Sequence, residues 1–214
     1  VTETHDLTGD IRRIILSPVD NFTFKAGQHV WIGFGEFEPR PYSIASAPAG
    51  TDFEVHVKDS HTGGASTYAV RFLHPGEMVS LSAPHGHAIY DRNMHGAHPV
   101  LFVAGGLTIT GTKALVEAAL ADTARTQPVT LYWSVRGEEH LYLNDYFKDL
   151  AARDPRFHFH TIIENTLSPA VTGFLPSHAA PHVFITGPRP MVEVSRRIFE
   201  NHGVHPSFIH YDPA

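Results

Sequence analysis

The sequence predicts two unlike halves: an N-terminal antiparallel β-barrel, then an α/β domain built on a doubly wound parallel sheet. Three observations predict it. The first half holds short alternating runs punctuated by Gly and Pro, the pattern of a small barrel or sandwich. The second half alternates apolar strands with amphipathic helices, the pattern of βαβ units. Between them, "DRNMHGAHP" at 91–99 is polar and marks the switch. We divide the chain at 1–94 and 95–214.

The elements follow in order. "DIRRIILSP" alternates and stops at Pro18. "FTFKAGQHVWIGF" predicts a short strand, a turn at Ala26-Gly27, and a strand from about Gln28 to Phe34. "RPYSIASAP" is a further strand. In "DFEVHVKDS", Phe53, Val55 and Val57 alternate with Glu54, His56 and Lys58, which predicts a half-buried strand with a solvated polar face. "GASTYAVRFL" spaces Tyr68, Phe72 and Leu73 as a helix, and "EMVSLSAP" closes the barrel. In the second half, "HPVLFVAGG", "PVTLYWSVRG", "RFHFHTIIE", "PHVFITGP" and "PSFIHYD" read as strands. "TGTKALVEAALAD", "LNDYFKDLAARD" and "MVEVSRRIFENHG" read as helices.

Composition narrows the function. With 42% hydrophobic and 18% charged residues the chain can fill a core. A net charge of −6 argues against nucleic acid. The absence of cysteine removes disulfides, thiolate metal sites, iron–sulfur clusters and a cysteine nucleophile from this chain. No apolar run reaches the roughly 18–20 residues of a membrane helix, and no signal peptide is visible. The chain starts at Val1 without Met, as a processed chain or a piece of a longer one would. The 17 histidines include the pairs His85/His87, His95/His98 and His158/His160. They are scattered and adjoin turns, so they read as solvated surface histidines, and no metal site is expected.

Two features remain that a barrel and a sheet do not need. "EPRPYSIASAP" at 38–48 crowds Arg40, Pro41, Tyr42 and Ser43 into one strand, which suits either a solvated edge or a strand that holds something flat and charged. Two sheet strands also end in glycine: Val100–Ala104 runs into Gly105-Gly106, and Val183–Thr186 into Gly187-Pro188. Glycine lets backbone approach a phosphate, and a following helix offers free N–H groups. Ligands bind open parallel sheets at the carboxyl ends of their strands.

Five segments in order resemble the ferredoxin–NADP⁺ reductase superfamily, and within it the bacterial flavin-reductase and ferric-reductase-like branch. Arg40-Pro41-Tyr42-Ser43 matches the R-x-Y-S flavin motif; "FKAGQHV" at 24–30 resembles the turn before it, with Ala26 for proline. "HVKDSHTGGAST" at 56–67 resembles the second flavin segment. "VAGGLTIT" at 103–110 resembles the G-G-x-G-x-T nucleotide loop, and "ITGPRPM" at 185–191 the C-G-P-x-x-M segment beside the nicotinamide.

The resemblance implies FAD, and NADPH or NADH. It places Arg40 on phosphate, Tyr42 against the flavin ring and Ser43 near the flavin N5. His56, Val57, Lys58, Gly64, Ala65, Ser66 and Thr67 fall along the flavin segment. Gly105, Gly106, Thr108, Thr110, Ser134, Arg136, Gly187, Pro188 and Met191 fall around the nucleotide, with Ser134 and Arg136 where NADP-using members hold the 2′-phosphate. Ser43 and Thr186 flank the hydride-transfer point. Three departures matter. Thr108 stands where the loop has its third glycine, and Gly111 where proline follows the threonine. Thr186 replaces a cysteine, and its hydroxyl is expected to slow hydride transfer. Some members lay a terminal aromatic over the flavin; either Tyr211, three residues from the end, serves, or that aromatic is absent or in a part not shown.

The activity implied is hydride transfer from NAD(P)H to FAD, then electron delivery to ferric iron, haem or a redox protein. The chain would work in the cytoplasm, or at the cytoplasmic face of a membrane as the reductase module of a larger haem protein preceding Val1. The alternative is a flavin-binding regulatory or electron-transfer module with weak or no nucleotide turnover.

Overall fold

A computed structural model describes residues 1–163 and 181–212. The expected strand "RFHFHTIIE" ends at Glu164, outside them. Six strands build the first domain: β1 (Glu3–Asp6), β2 (Ile11–Leu16), β3 (His29–Gly33), β4 (Arg40–Ser43), β5 (Phe53–Lys58) and β6 (Ser80–Leu81). They form two antiparallel three-stranded sheets, ordered β1-β2-β5 and β4-β3-β6. Both close over one core that includes Ile14, Val30, Ile32, Phe34, Phe53 and Val55. Helix α1 (Ala65–Arg71) caps it with Ala69 and Val70.

The second domain is a five-stranded parallel sheet ordered β11-β10-β7-β8-β9. Its strands are β7 (Val100–Gly105), β8 (Val129–Val135), β9 (Phe157–Ile163), β10 (His182–Thr186) and β11 (Ile209–His210). Helices α3 (Ile109–Ala121), α4 (Asn144–Arg153) and α5 (Arg189–Asn201) flank it. β7 and β10 lie side by side, but the chain leaves β7 toward β8 and only later returns on the other side. That reversal makes the carboxyl ends of β7 and β10 a topological switch point, where such sheets open a crevice.

Three local readings change. "FTF" at 22–24 is not a strand; Phe22 and Phe24 pack on Phe53 as aromatic neighbours. The polar seam contains a short helix, α2 (Arg92–His95), started by the Asp91 carboxylate accepting from the Asn93 N–H. Most consequentially, the polar face of β5 is solvated only at Lys58. Glu54 and His56 are 5% and 4% exposed, because the second domain covers the face that alternation assigns to water.

Candidate active site between the two domains

β4 pairs only with β3, with Ile32 opposite Arg40 and Val30 opposite Tyr42. It is an edge strand, which is why Pro41 is tolerated: a missing N–H costs nothing on the open side. Arg40 is exposed and makes no hydrogen bond or ion pair among the described residues. Tyr42 is half-buried, edge-on to Phe34. Burial raises its phenol pKa, so the hydroxyl stays protonated.

The loop from β5 to α1 is held by a residue the sequence reading passed over. Asp59 is 3% exposed. Its carboxylate accepts from the Thr67 hydroxyl (2.7 Å), Arg71 Nε (2.9 Å) and the His61 N–H (2.7 Å). Those bonds, the Thr67 hydroxyl first, hold its pKa well below the usual carboxylate range. The Thr67 hydroxyl therefore serves the loop. The Ser66 hydroxyl is likewise engaged with Ser60. Gly63 faces open space and Gly64 has only the Thr62 hydroxyl near, at ordinary contact distance, so this segment offers a ligand backbone rather than the Ser66 and Thr67 hydroxyls. Val57 is in the core, and the His56 ring is fully buried, so neither side chain faces the cleft. Lys58 does, beside Asp10 at 3.4 Å.

At the sheet crevice, Gly106 takes φ +57° with nothing near its missing Cβ. The Trp133 indole N–H donates to the Gly106 carbonyl at 2.9 Å and fixes the loop from beneath. Thr108, which replaces the expected glycine, has an ordinary helical φ of −67°. Its hydroxyl donates to the Gly105 carbonyl at 3.0 Å and accepts from the Gly105 N–H at 3.3 Å. The left-handed demand thus falls on Gly106, and threonine fits. The hydroxyls of Thr110 and Thr112 also turn inward, donating to Leu107 O and Thr108 O. They hold the loop and are not aimed at a phosphate.

Met191 explains the two strand-end glycines. A Cβ on Gly105 would sit 2.3 Å from the Met191 sulfur, and one on Gly187 2.8 Å from it. The thioether lies across both, and a side chain at either position would require Met191 to move. Thr186 Oγ1 lies 2.7 Å from Thr112 Oγ1 and 3.3 Å from Thr108 Oγ1. Across the domain boundary, a Cβ on Gly111 would come 3.2 Å from Ser43 Cβ and 3.3 Å from its Oγ. Any Cβ there would press on the flavin motif, which would have to give by a few tenths of an ångström.

A cleft of about 1080 Å³ opens over the nucleotide loop and the end of β5; its lining does not include Arg40, Tyr42, Ser43, the 64–67 segment, Thr110, Thr186 or Gly187. Of the sequence-predicted residues it is lined by Lys58, Gly105, Gly106, Thr108, Ser134, Arg136, Pro188 and Met191. Thr8, Asp10, Glu139 and Tyr142 are additions. Arg136 is exposed and makes no hydrogen bond or ion pair among the described residues, which leaves its guanidinium for an anion. Tyr211 is 37% exposed, beside Asp212, whose carboxylate accepts from the His87 N–H at 2.7 Å.

The histidines are not all at the surface. His95 and His182 are 1% and 4% exposed, and with His210 they bring one nitrogen each within 4.8 Å. His182 Nδ1 and His210 Nε2 share a hydrogen bond at 2.9 Å. His95 Nδ1 accepts from the Asp91 N–H at 2.9 Å, which puts its proton on the buried, unpartnered Nε2. A ring in that tautomer presents an N–H where a metal needs a lone pair. The cluster sits at the amino end of β10, the far end of the sheet from the crevice.

Two family models match successive parts of the chain. The oxidoreductase FAD-binding domain matches residues 1–90 and the oxidoreductase NAD-binding domain residues 102–197. The reductase component of the naphthalene 1,2-dioxygenase system of Pseudomonas putida is 30% identical over 96% of this chain, which spans 65% of that protein. A probable flavin reductase of Vibrio harveyi is 28% identical, with 99% of this chain and 96% of that one covered. Among solved structures, an Amycolatopsis cytochrome P450 reductase superposes with a TM-score of 0.85 at 25% identity, covering 99% of this chain and 67% of that one. A Neisseria gonorrhoeae ferredoxin NADP⁺ reductase with bound FAD and NADP shares the fold, with a TM-score of 0.82 at 18% identity over 99% and 96% of the two chains.

Proposed function

This chain belongs to the ferredoxin–NADP⁺ reductase superfamily, and we infer that it is an FAD-dependent NAD(P)H oxidoreductase. The observation that carries the reading is one contact. Gly111, on the helix that leaves the nucleotide loop, abuts Ser43 of the flavin motif. That contact supports a reading in which the flavin and nucleotide segments meet here.

The residues present fit the cofactors. Arg40 has a free planar guanidinium suited to phosphate, and Tyr42 a flat face with a protonated tip. Lys58 brings positive charge to the cleft. Gly106, with open space where its Cβ would be, lets a dinucleotide approach the loop backbone, and Arg136 beside Ser134 supplies a cation for a 2′-phosphate. FAD, when bound, supplies the chemistry: it takes hydride from the nicotinamide and gives up electrons singly. The protein's share is position. Ser43 and Thr186 bound the transfer point, and Met191 sets the floor on the nucleotide side. We keep the division at 94 and 95 as the domain boundary.

The acceptor is assigned to a partner. The curated relatives include the reductase component of an oxygenase system and a probable flavin reductase. A redox protein or free flavin is the acceptor class we favour, with ferric iron and haem as acceptors of the same one-electron chemistry. Among the described residues no helix is long and apolar enough to cross a membrane.

The test is the cofactor itself. Acid or heat should release a yellow flavin that chromatography identifies as FAD. Failure to bind any flavin after reconstitution with excess FAD would sink the assignment.

A further inference from the structure

We propose that Lys113 is a positioning residue for hydride transfer: it locks helix α3 onto the segment that follows the flavin motif, and so fixes the gap between Ser43 and Thr186. The proposal rests on the reading of Ser43 and Thr186 as the two sides of the transfer site.

Three successive residues of α3 point to three different neighbours, as a helix advancing about 100° per residue requires. Gly111 touches Ser43, on the flavin side. Thr112 bonds Thr186, on the nucleotide side, at 2.7 Å. Lys113 reaches back across the boundary. Its ammonium donates to the Ala45 carbonyl at 3.0 Å and lies 3.1 Å from Glu54 and 2.8 Å from Glu117. One turn on, the Glu117 carboxylate accepts the Ala47 N–H at 2.9 Å and the Tyr146 hydroxyl at 2.6 Å. Ala45 and Ala47 follow Ser43 by two and four residues. The strand that carries the flavin motif is thus pinned, through its own backbone, to the helix that carries the nucleotide loop.

The centre of the lock, Lys113 with Glu54, is buried, Glu117 and Arg13 form its wetter rim, and the charges balance. Lys113 is 7% exposed, and its three N–H groups meet three acceptors. Glu54 also takes Arg13 Nε at 2.7 Å and His56 Nε2 at 2.6 Å. With Glu54 ionised, the proton sits on His56 Nε2, and Nδ1 accepts from the Tyr142 hydroxyl at 3.0 Å. Two acids and two bases, each hydrogen-bonded, tolerate burial where a lone one would not. An apolar seam of the same size would hold the domains together without fixing their register, because dispersion has no direction. Directional bonds from a rigid helix to a backbone carbonyl and a backbone N–H do fix it.

Lys113→Met keeps the length and removes the bonds. With FAD bound, anaerobic flavin bleaching at saturating nucleotide should slow about tenfold or more, since a misplacement near an ångström costs about a hundredfold. Nucleotide affinity should hold. The long-wavelength absorbance of nicotinamide stacked on flavin should weaken, and hydrogen exchange at the Ala47 amide should rise. Faster exchange with unchanged bleaching and absorbance would overturn the proposal and leave Lys113 a merely structural residue. If Lys113→Met does not fold, Glu117→Gln should shift all three readouts in the same direction by less; no shift refutes it. If the parent protein holds FAD but neither nucleotide bleaches it, the underlying functional reading has failed. Exchange at Ala47 then still decides the lock, and exchange unchanged by Lys113→Met would disprove it.

Discussion

Replacing Thr108 by glycine restores the residue that the nucleotide-loop pattern calls for, and the structure predicts that it harms the protein. Family pattern alone argues that Thr108→Gly should lower the Michaelis constant for NAD(P)H. The backbone argues otherwise, because Thr108 has a φ of −67° and gains nothing from glycine's freedom. It loses a hydroxyl that ties the Gly105 carbonyl and N–H, at 3.0 and 3.3 Å. One such net hydrogen bond is worth about 0.5–1.5 kcal/mol. The added chain entropy of glycine costs roughly 0.5–1 kcal/mol more. The variant should therefore be destabilised by about 1–2.5 kcal/mol, read as a lower urea midpoint at unchanged slope. The loop it loosens approaches the nucleotide, so the Michaelis constant should rise. A variant with equal stability and a lower constant would refute the reasoning, and would mean that the threonine obstructs the pyrophosphate.

Further expectations follow from single contacts. Arg40→Ala should weaken FAD binding by about 1.5–3 kcal/mol, the worth of a hydrogen bond to a charged group; titration of apoprotein with FAD reads it, and unchanged affinity removes Arg40 from the phosphate. Arg136→Ala should lower NADPH rates while NADH rates hold, and equal losses with both reject the 2′-phosphate role. Thr186→Cys should keep flavin affinity; the sequence alone argues for faster bleaching, but the 2.7 Å bond to Thr112 reverses that to a slowing of a few-fold, about 1 kcal/mol, and faster bleaching would restore the first view. Burial, then mutual repulsion with neighbouring histidines, holds His95 near a pKa of about 4 and His182 near about 3, against an ordinary 6.5. The unfolded chain then binds more protons below pH 6.5, so stability should fall as pH drops from 6.5 toward 3–4, and His95→Gln should flatten that fall. A urea midpoint constant over that window would contradict the buried, neutral cluster.

The architecture was legible because its signals are local. Alternation in the first half, strand–helix alternation in the second and glycine at two strand ends each reflect backbone geometry within a few residues. The short segments Arg40–Ser43 and Gly105–Gly106 were legible for the same reason. What the sequence concealed depends on the other domain. Glu54 and His56 alternate with core residues as a solvated face would, and only the docking of α3 makes that face interior. Burial raises the Glu54 pKa, but the hydrogen bond from His56 and the charge of Lys113, with Arg13, outweigh it and hold the group at about 2. No window of β5 contains Lys113. Trp133 under Gly106 and Asp59 under α1 went unread for a related reason: each looks like an ordinary core or loop residue until its partner is placed. The threonine hydroxyls have internal partners that the sequence does not show. Hydroxyls beside a nucleotide loop suggest ligand contacts, yet in a tight βα turn the nearest acceptors are the loop's own carbonyls.

The most direct test of the account is anaerobic titration of the FAD-loaded protein with NADPH and, separately, NADH, followed by visible absorbance. The account predicts that at least one nucleotide bleaches the flavin stoichiometrically, and that air restores the colour. Retention of full flavin absorbance with both nucleotides, in a protein that holds FAD, would contradict it and leave a flavin-binding module without nucleotide turnover.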